Sequence, residues 1–284
     1  MPKKPYTPMT DDAKASRKRD LLDKLEAGVA AVQNSDTFKT YLSFASKFYK
    51  YSPNNIILIY MQKPEATHVG GFNLWRSLNR PVRNGEKGIM IFAPHTYKAK
   101  DDDESKEIGF HVEHVFDISQ TEVDDVPGLD IVELAGDDGD ELWGVLVDYA
   151  KATGLILVTD DHHRMGQEEG WYQRSTNTIY VRRRDSRNMA KTFIHELAHH
   201  MDSAITLPGV DKAELETVAE GTAYVVSQHY GLDCGDYSFK YIATWCESED
   251  GVKVIRRVMS RIQHNVRLLL TAIDAALMPP VEAA

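Results

Sequence analysis

Apolar residues recur every three or four positions along the first fifty residues, which predicts amphipathic helices. The first predicted helix covers residues 11–33 and the second covers residues 37–49. Ser52 followed by Pro53 is a helix start signal, with serine as the cap and proline in the first turn, so a third helix is expected to begin there.

The pattern then changes to short strands and helices. A short helix is expected within residues 70–80, a buried strand ending at Pro94, and an alternating strand over residues 108–123 that pairs with it. Further along, the sequence predicts a helix over 140–154, a strand at 155–160 and a strand pair within 170–183. Three helices complete the prediction: one capped near Asp185, then helices near 212–230 and 252–276. The predicted fold class is α+β in two domains.

Charge divides the chain unevenly. The chain of 284 residues has a net charge of -10, yet residues 36–100 contain ten Lys/Arg against three Asp/Glu, and residues 101–150 contain seventeen Asp/Glu against one lysine. Such asymmetry is typical of a polyanion-binding module beside an acidic connection, although two solvated surfaces would give the same count. We predict an N-terminal domain over 1–125, an acidic linker over 126–138 and a C-terminal domain over 139–284.

Composition is that of a soluble globular protein, with 42% hydrophobic residues. No apolar run approaches the length of a membrane span, and the early lysines are not followed by the apolar core of a secretory signal. The expected location is the cytoplasm, without membrane contact.

The segment "TFIHELAHHMD", residues 192–202, carries the pattern H-E-x-x-H. On a helix, His195 and His199 project from one face and can reach a single cation, and Glu196 lies at the edge of that face. Neutral imidazoles suit Zn²⁺ while leaving a position open, and the carboxylate can take a proton from the attacking water. The pattern therefore predicts a zinc site with Glu196 as general base, although Mn²⁺ would also fit.

A third ligand is expected on the following helix, in "KAELETVAEGTAYVV". Glu220 is the preferred ligand because it lies deepest in the apolar run, and Glu216 is the alternative or a group that orients a histidine. Tyr224, one turn later, is a candidate catalytic residue that could hydrogen-bond a developing oxyanion, or else a core residue. His200 faces away from the pair and is not expected to bind the metal. "NTIYVRR" could be an edge strand that docks an extended peptide.

The second chemical signal is a run of cations interleaved with aromatic residues between residues 47 and 87. Aromatic rings can stack on unpaired bases while cations and amides hold phosphates, which favours single-stranded DNA as a partner; the alternative is core aromatics beside solvated cations. The candidate contacts are Lys47, Tyr49, Lys50, Tyr51, Asn54, Asn55, Trp75, Arg76, Arg80, Arg83 and Lys87. Four arginines of the last helix, Arg256, Arg257, Arg261 and Arg267, either face solvent or form a second DNA contact.

These motifs resemble a known family. Tyr51 to Asn55, Gln62 to Thr67, Gly71 to Trp75 and Leu78 to Pro94 are similar to the N-terminal domain of ArdC-type antirestriction proteins. "HELAHH" and "ETVAEGTAYVV" resemble the metallopeptidase domain of that family and, more distantly, the IrrE/ImmA type. The resemblance covers most of residues 36–247, and it implies a DNA-binding first domain and a zincin-like second domain.

The expected function is that of a single-stranded DNA-binding antirestriction protein whose zinc peptidase domain acts on a protein or peptide substrate. Two alternatives stay open. The first is a DNA-coating protein with a structural metal, and the second is a regulatory protease that cleaves a repressor.

Overall fold

The structure, a computed structural model, describes residues 10–32, 34–98, 106–122, 139–160, 168–202, 210–232, 237, 239–248 and 250–277. They form two compact units, the first made of residues 1–31 and 54–126 and the second of residues 32–53 and 127–284. The predicted acidic linker lies outside the described residues. No helix within the described ranges is long and apolar enough to cross a bilayer.

The first unit combines helices with a three-stranded antiparallel sheet. The helices are α1 (Asp11–Ala30), α3 (Pro53–Gln62) and α4 (Phe72–Ser77), and the strands are β1 (Val69–Gly71), β2 (Ile89–Lys98) and β3 (Lys106–Asp117), in the order β1-β3-β2. The strand predicted to end at Pro94 continues to Lys98. Because β2 is an edge strand, a proline without an N–H can sit within it.

Helix α3 covers the open edge of β2 with two side-chain amides. Asn55 donates to the carbonyl oxygen of Phe92 at 2.9 Å and accepts from its N–H at 3.0 Å, and Gln62 makes the same pair of bonds with Met90. These bonds replace a fourth strand, so the edge is closed to pairing with another chain.

The second unit packs helices around a mixed sheet. Its helices are α2 (Ser35–Ala45), α5 (Asp140–Thr153), α6 (Ser186–Met201), α7 (Lys212–His229), α8 (Tyr241–Cys246) and α9 (Gly251–Leu277). Strand β4 (Ile156–Asp160) runs parallel to β6 (Thr178–Arg182), and β5 (Gly170–Gln173) runs antiparallel to β6. The order β4-β6-β5 makes β6 central, so the prediction that "NTIYVRR" is an edge strand is wrong and the edge strand is β5.

Residues 32–53 also differ from the prediction, which assigned them to the N-terminal domain. They belong to the second unit, where α2 packs on α7 and α8. The apolar face of α2, which correctly predicted a helix, does not reveal which other helices it contacts.

Candidate metal centre

Helix α6 brings the two predicted histidine ligands to one of its faces. The Asp185 carboxylate caps the helix by accepting from the Asn188 N–H at 3.0 Å. Four residues apart on this helix, His195 and His199 bring their Nε2 atoms to 3.2 Å from one another. The opposite face buries Ile194, Leu197 and Ala198 completely, which fixes the rotation of the helix.

The third member of the cluster is Glu216 on α7. Its Oε2 lies 3.6 Å from Nε2 of both His195 and His199, and these three residues form the one group of described side chains arranged to hold a metal ion. Glu220 lines the cleft but does not belong to the group, so the preferred third ligand is corrected to the alternative, Glu216. Glu220 was preferred because it lies deepest in the apolar run, but that position places it in the wall of the cleft. A ligand has to lie where α7 faces the two histidines.

The distances between the donor atoms fit a single divalent ion. Around an ion with bonds of about 2.1 Å in a tetrahedral arrangement, ligand atoms lie about 3.4 Å apart. The three observed separations, one of 3.2 Å and two of 3.6 Å, match those edges. Two imidazoles and one carboxylate, with the fourth direction open to a cleft, are the donor set of catalytic zinc sites.

The acids around the centre have different electrostatic environments. Hydrogen bonds from His195 and His199 hold the pKa of Glu216 far below its usual range, which suits an ionised ligand. Burial raises the pKa of Glu196, against the opposing charges of the two histidines. Burial also raises the pKa of Glu220. A base with a raised pKa is better suited to take and return a proton near neutral pH.

Strand β5 lies across the open side of the centre. The backbone amide of Tyr172 lies beside the Glu196 carboxylate, where it opposes the effect of burial and lowers the pKa of that group. The ladder with β6 pairs Trp171 with Tyr180 and includes the Arg182 N–H donating to the Glu169 carbonyl at 2.8 Å. In an antiparallel pair, the backbone N–H and C=O groups of successive residues point alternately towards and away from the partner strand. Those of Glu169 and Trp171 point towards β6, so those of Gly170 and Tyr172 point away from it. The edge of β5 therefore borders the cleft.

The cleft has a volume of about 590 Å³ and is bordered by β5, α6 and α7. Five glutamates and one lysine contribute to its lining: Glu168, Glu169, Glu196, Glu216, Glu220 and Lys191. This acidic lining disfavours a nucleic-acid backbone and favours a neutral or cationic chain.

The predicted oxyanion residue Tyr224 lies elsewhere. It is 3% exposed, it is absent from the lining of the cleft, and its ring packs edge-on against Tyr237 and Phe239. The tyrosines that do line the cleft are Tyr172 and Tyr237, and sequence reasoning missed both. His200 is not a ligand, but its Nδ1 lies 2.9 Å from the Tyr172 hydroxyl oxygen.

The predicted DNA contacts are divided by burial. Lys47, Lys50, Asn54, Arg76 and Lys87 are exposed, so they can meet a ligand. The residues from 47 to 51 lie in the second unit and those from 54 onward in the first.

Four other predicted contacts have structural roles instead. Trp75 is 1% exposed and donates its Nε1–H to the Phe116 carbonyl; the amide of Asn55 seals β2. Tyr49 is buried and donates its hydroxyl to Asp274, and the buried Arg80 donates to Thr121. These four are therefore corrected to core residues. The prediction was wrong for them because the alternation of cations and aromatics does not distinguish a buried face from an exposed one.

Two further predicted contacts are partly engaged. The exposed Arg83 donates to Glu86 and to the carbonyl oxygens of Thr121 and Ser119, and Tyr51 is half-buried. Two exposed apolar side chains lie beside Arg76 on α4, Phe72 at 50% and Leu74 at 52% exposure, and neither is among the predicted contacts given above. Their place on a short helix with only Trp75 buried could have identified them.

Comparison with known proteins shows what the chain is similar to. Residues 11–124 match the family model described as the N-terminal domain of anti-restriction factor ArdC. The crystal structures of the antirestriction protein ArdC from plasmid R388, metal-free and Mn(II)-bound, are 19% and 18% identical to this chain, and each match covers 79% of it. The matches cover 85% and 86% of the R388 chains, with a TM-score of 0.50 in both cases, and this likeness shows a shared fold.

A longer relative is also similar to this chain. The uncharacterized protein pXO2-81 of Bacillus anthracis is 23% identical over 322 residues, which cover 96% of the present chain and 54% of the relative. The chain thus spans about half the length of that relative.

Proposed function

We propose that this ArdC-type protein is a metal-dependent peptidase joined to a single-stranded DNA-binding domain and that it acts in antirestriction. The observation that carries the peptidase proposal is the convergence of His195, His199 and Glu216 next to Glu196, whose carboxylate lies in the same cleft.

His195, His199 and Glu216 would hold the ion, and zinc and manganese both suit this set of donors. A bound divalent ion polarises a peptide carbonyl and lowers the pKa of a water molecule. The Mn(II)-bound structure of R388 ArdC supports a divalent ion in a protein of this fold.

Glu196 has the geometry and the pKa of a general base. Its carboxylate lies in the cleft beside the ligands, and burial has raised its pKa. In the proposed reaction it accepts a proton from the attacking water and then donates that proton to the amine that leaves.

The substrate proposed here is an extended peptide. The edge of β5 can pair with such a chain through the N–H and carbonyl of Gly170 and the carbonyl of Tyr172, as in recognition by strand addition. The acidic lining favours peptides with basic side chains near the bond that is cut.

Single-stranded DNA is proposed as the ligand of the N-terminal domain. Support comes from the family match and from α4, where the exposed ring of Phe72 can stack on a base and Leu74 can pack against it while Arg76 binds a phosphate. Lys87 and Asn54 are further exposed candidates in the same unit.

The decisive experiment compares Glu196→Gln with Glu216→Gln. We expect Glu196→Gln to bind Zn²⁺ or Mn²⁺ as the parent does but to cut no peptides, and Glu216→Gln to lose metal binding as well. Cleavage is measured on a peptide library with and without single-stranded DNA. Unchanged cleavage by Glu196→Gln would exclude the proposed reaction.

A second candidate is a DNA-coating protein whose metal is structural. It is favoured by the position of the family match, which lies on the N-terminal part of the chain. In that case Glu196→Gln would still protect single-stranded DNA from nucleases, and loss of Arg76 would remove the protection.

A further inference from the structure

Two buried carboxylates mark the ends of the helices that carry the candidate ligands. Asp202 ends α6, three residues after His199, and Glu214 lies in the first turn of α7, two residues before Glu216. Asp202 is 4% and Glu214 6% exposed. Buried carboxylates are costly unless they are paired, so their partners determine how these ends are arranged.

The partners are two arginines of α9. Arg261 donates from Nε to Asp202 at 3.1 Å and makes a second bond to the same carboxylate through Nη2, while its Nη1 donates to Glu214 at 3.2 Å. Arg257 donates to Glu214 through Nε at 2.9 Å and also through Nη2. One guanidinium, that of Arg261, therefore bridges the end of α6 and the start of α7.

Both the Arg261 guanidinium and the helix that carries it are held in fixed positions. A guanidinium is planar, and its N–H groups point in fixed directions, so a two-bond contact with Asp202 sets the orientation of the third bond. Helix α9 is itself fixed closely against α7, because a Cβ added at Gly221 would lie 2.4 Å from Cδ1 of Ile262.

We propose that Arg261 is a positioning residue for the metal centre, holding the ends of α6 and α7 at the separation at which His199 and Glu216 share one ion. The inference rests on the metal site of the proposed function. A ligand set tolerates errors of about 0.5 Å, and the segment between the two helices, residues 203–209, is outside the described part of the chain. Arg261 provides a direct polar link between the two ends.

Loss of this bridge should affect metal affinity separately from stability. Arg261→Met removes the bonds but keeps most of the volume, and it leaves Asp202 charged and buried. Arg261→Met with Asp202→Asn removes that charge as well, so the double variant should recover thermal stability while the two helix ends stay unlinked. Arg257 still pairs with Glu214 in both variants.

Lys253→Met is a matched control on the same helix. It removes an ion pair with Asp250 of 2.7 Å in which both side chains are largely exposed, so it should change neither stability nor metal affinity measurably.

The test titrates Zn²⁺ and Mn²⁺ into the full chain by calorimetry and measures thermal unfolding of the same samples. We expect both Arg261 variants to bind the ion about 10- to 100-fold more weakly, as is typical when a group that orients ligands is lost. The double variant should melt above the single one without regaining affinity.

Three results would overturn the proposal. Parental affinity in the folded single variant would exclude it, and recovery of affinity in step with stability in the double variant would assign Arg261 a purely structural role. A parent chain that binds neither ion would refute the metal site itself, a failure distinct from the other two.

Discussion

Gly170 permits the close approach of β5 to α6, and replacing it with alanine tests this packing. A Cβ at this position would lie 2.5 Å from Cγ2 of Thr192, 2.9 Å from the Tyr180 carbonyl oxygen and 3.2 Å from Cγ of Glu196. Carbon atoms normally pack about 3.5 to 4.0 Å apart. The Tyr180 carbonyl belongs to the central strand β6, and the methyl group belongs to Thr192, a β-branched side chain with few rotamers on a helix. Because neither can give way easily, β5 itself has to move.

The magnitude follows from overpacking. Forcing one extra methyl group into a packed site costs about 1 to 3 kcal/mol. At about 2 to 4 °C per kcal/mol for a unit of this size, Gly170→Ala should lower Tm by roughly 2 to 12 °C.

Gly144→Ala is the matched control. Gly144 is exposed within α5, and a Cβ there would meet nothing within 4 Å. Alanine in a helix interior is more stable than glycine by about 0.5 to 1 kcal/mol, so this variant should melt slightly higher than the parent. Calorimetric melting of both proteins is the assay. If Gly170→Ala melted at or above the parent temperature, the described contact between β5 and α6 would be wrong.

Three further predictions concern other sites. Glu220→Gln should keep its metal affinity in calorimetry while Glu216→Gln loses it, and the reverse pattern would restore Glu220 as the ligand. Asp117 accepts the N–H groups of Thr67, His68 and Ser119, and although burial opposes them these bonds lower its pKa below 3.8. The contribution of Asp117 to stability is therefore present above pH 3.8 and is lost as the pH falls through its lowered pKa. Asp117→Asn should melt at a lower temperature at pH 7, and its stability should fall less steeply than that of the parent as the pH is lowered. An unchanged dependence of stability on acid pH would contradict this. Arg76→Gln should reduce the slope of the logarithm of the single-stranded DNA binding constant against the logarithm of salt concentration by about 0.7, without changing Tm. Arg80→Gln should lower Tm instead. Equal effects of the two variants on DNA binding would contradict the division by burial.

The sequence predicted the helices and strands better than it predicted which of them pack together. Periodicity located α6 and α7 because each buries one face, and the spacing of His195 and His199 determined two donor atoms without any knowledge of the fold. The choice between Glu216 and Glu220 depends on how α7 is rotated against α6, and both acids lie on the same side of their own helix. Only tertiary packing separates them.

Burial was the other limit. Trp75 and Arg80 lie in the same segment as Phe72 and Arg76, with the same residue types, yet the first pair is buried and the second exposed. Which of them turns inward is decided by strand β3, which supplies Phe116 and is followed by Thr121, about forty residues later. A local pattern contains no information about such a distant neighbour.

Helix α2 has a consequence for the order in which the chain folds during synthesis. Its Ser35 hydroxyl accepts from the N–H of Phe239, 204 residues later, and the ring of Phe38 packs against that of Phe239 at 5.0 Å. At about 5 to 20 residues per second, a ribosome needs roughly 10 to 40 s to make the intervening chain. The first unit has all of its residues once position 126 has emerged, so it can close while residues 32–53 remain an uncovered loop between its two parts. The apolar face of α2 is therefore made long before Phe239, which covers it in the folded protein.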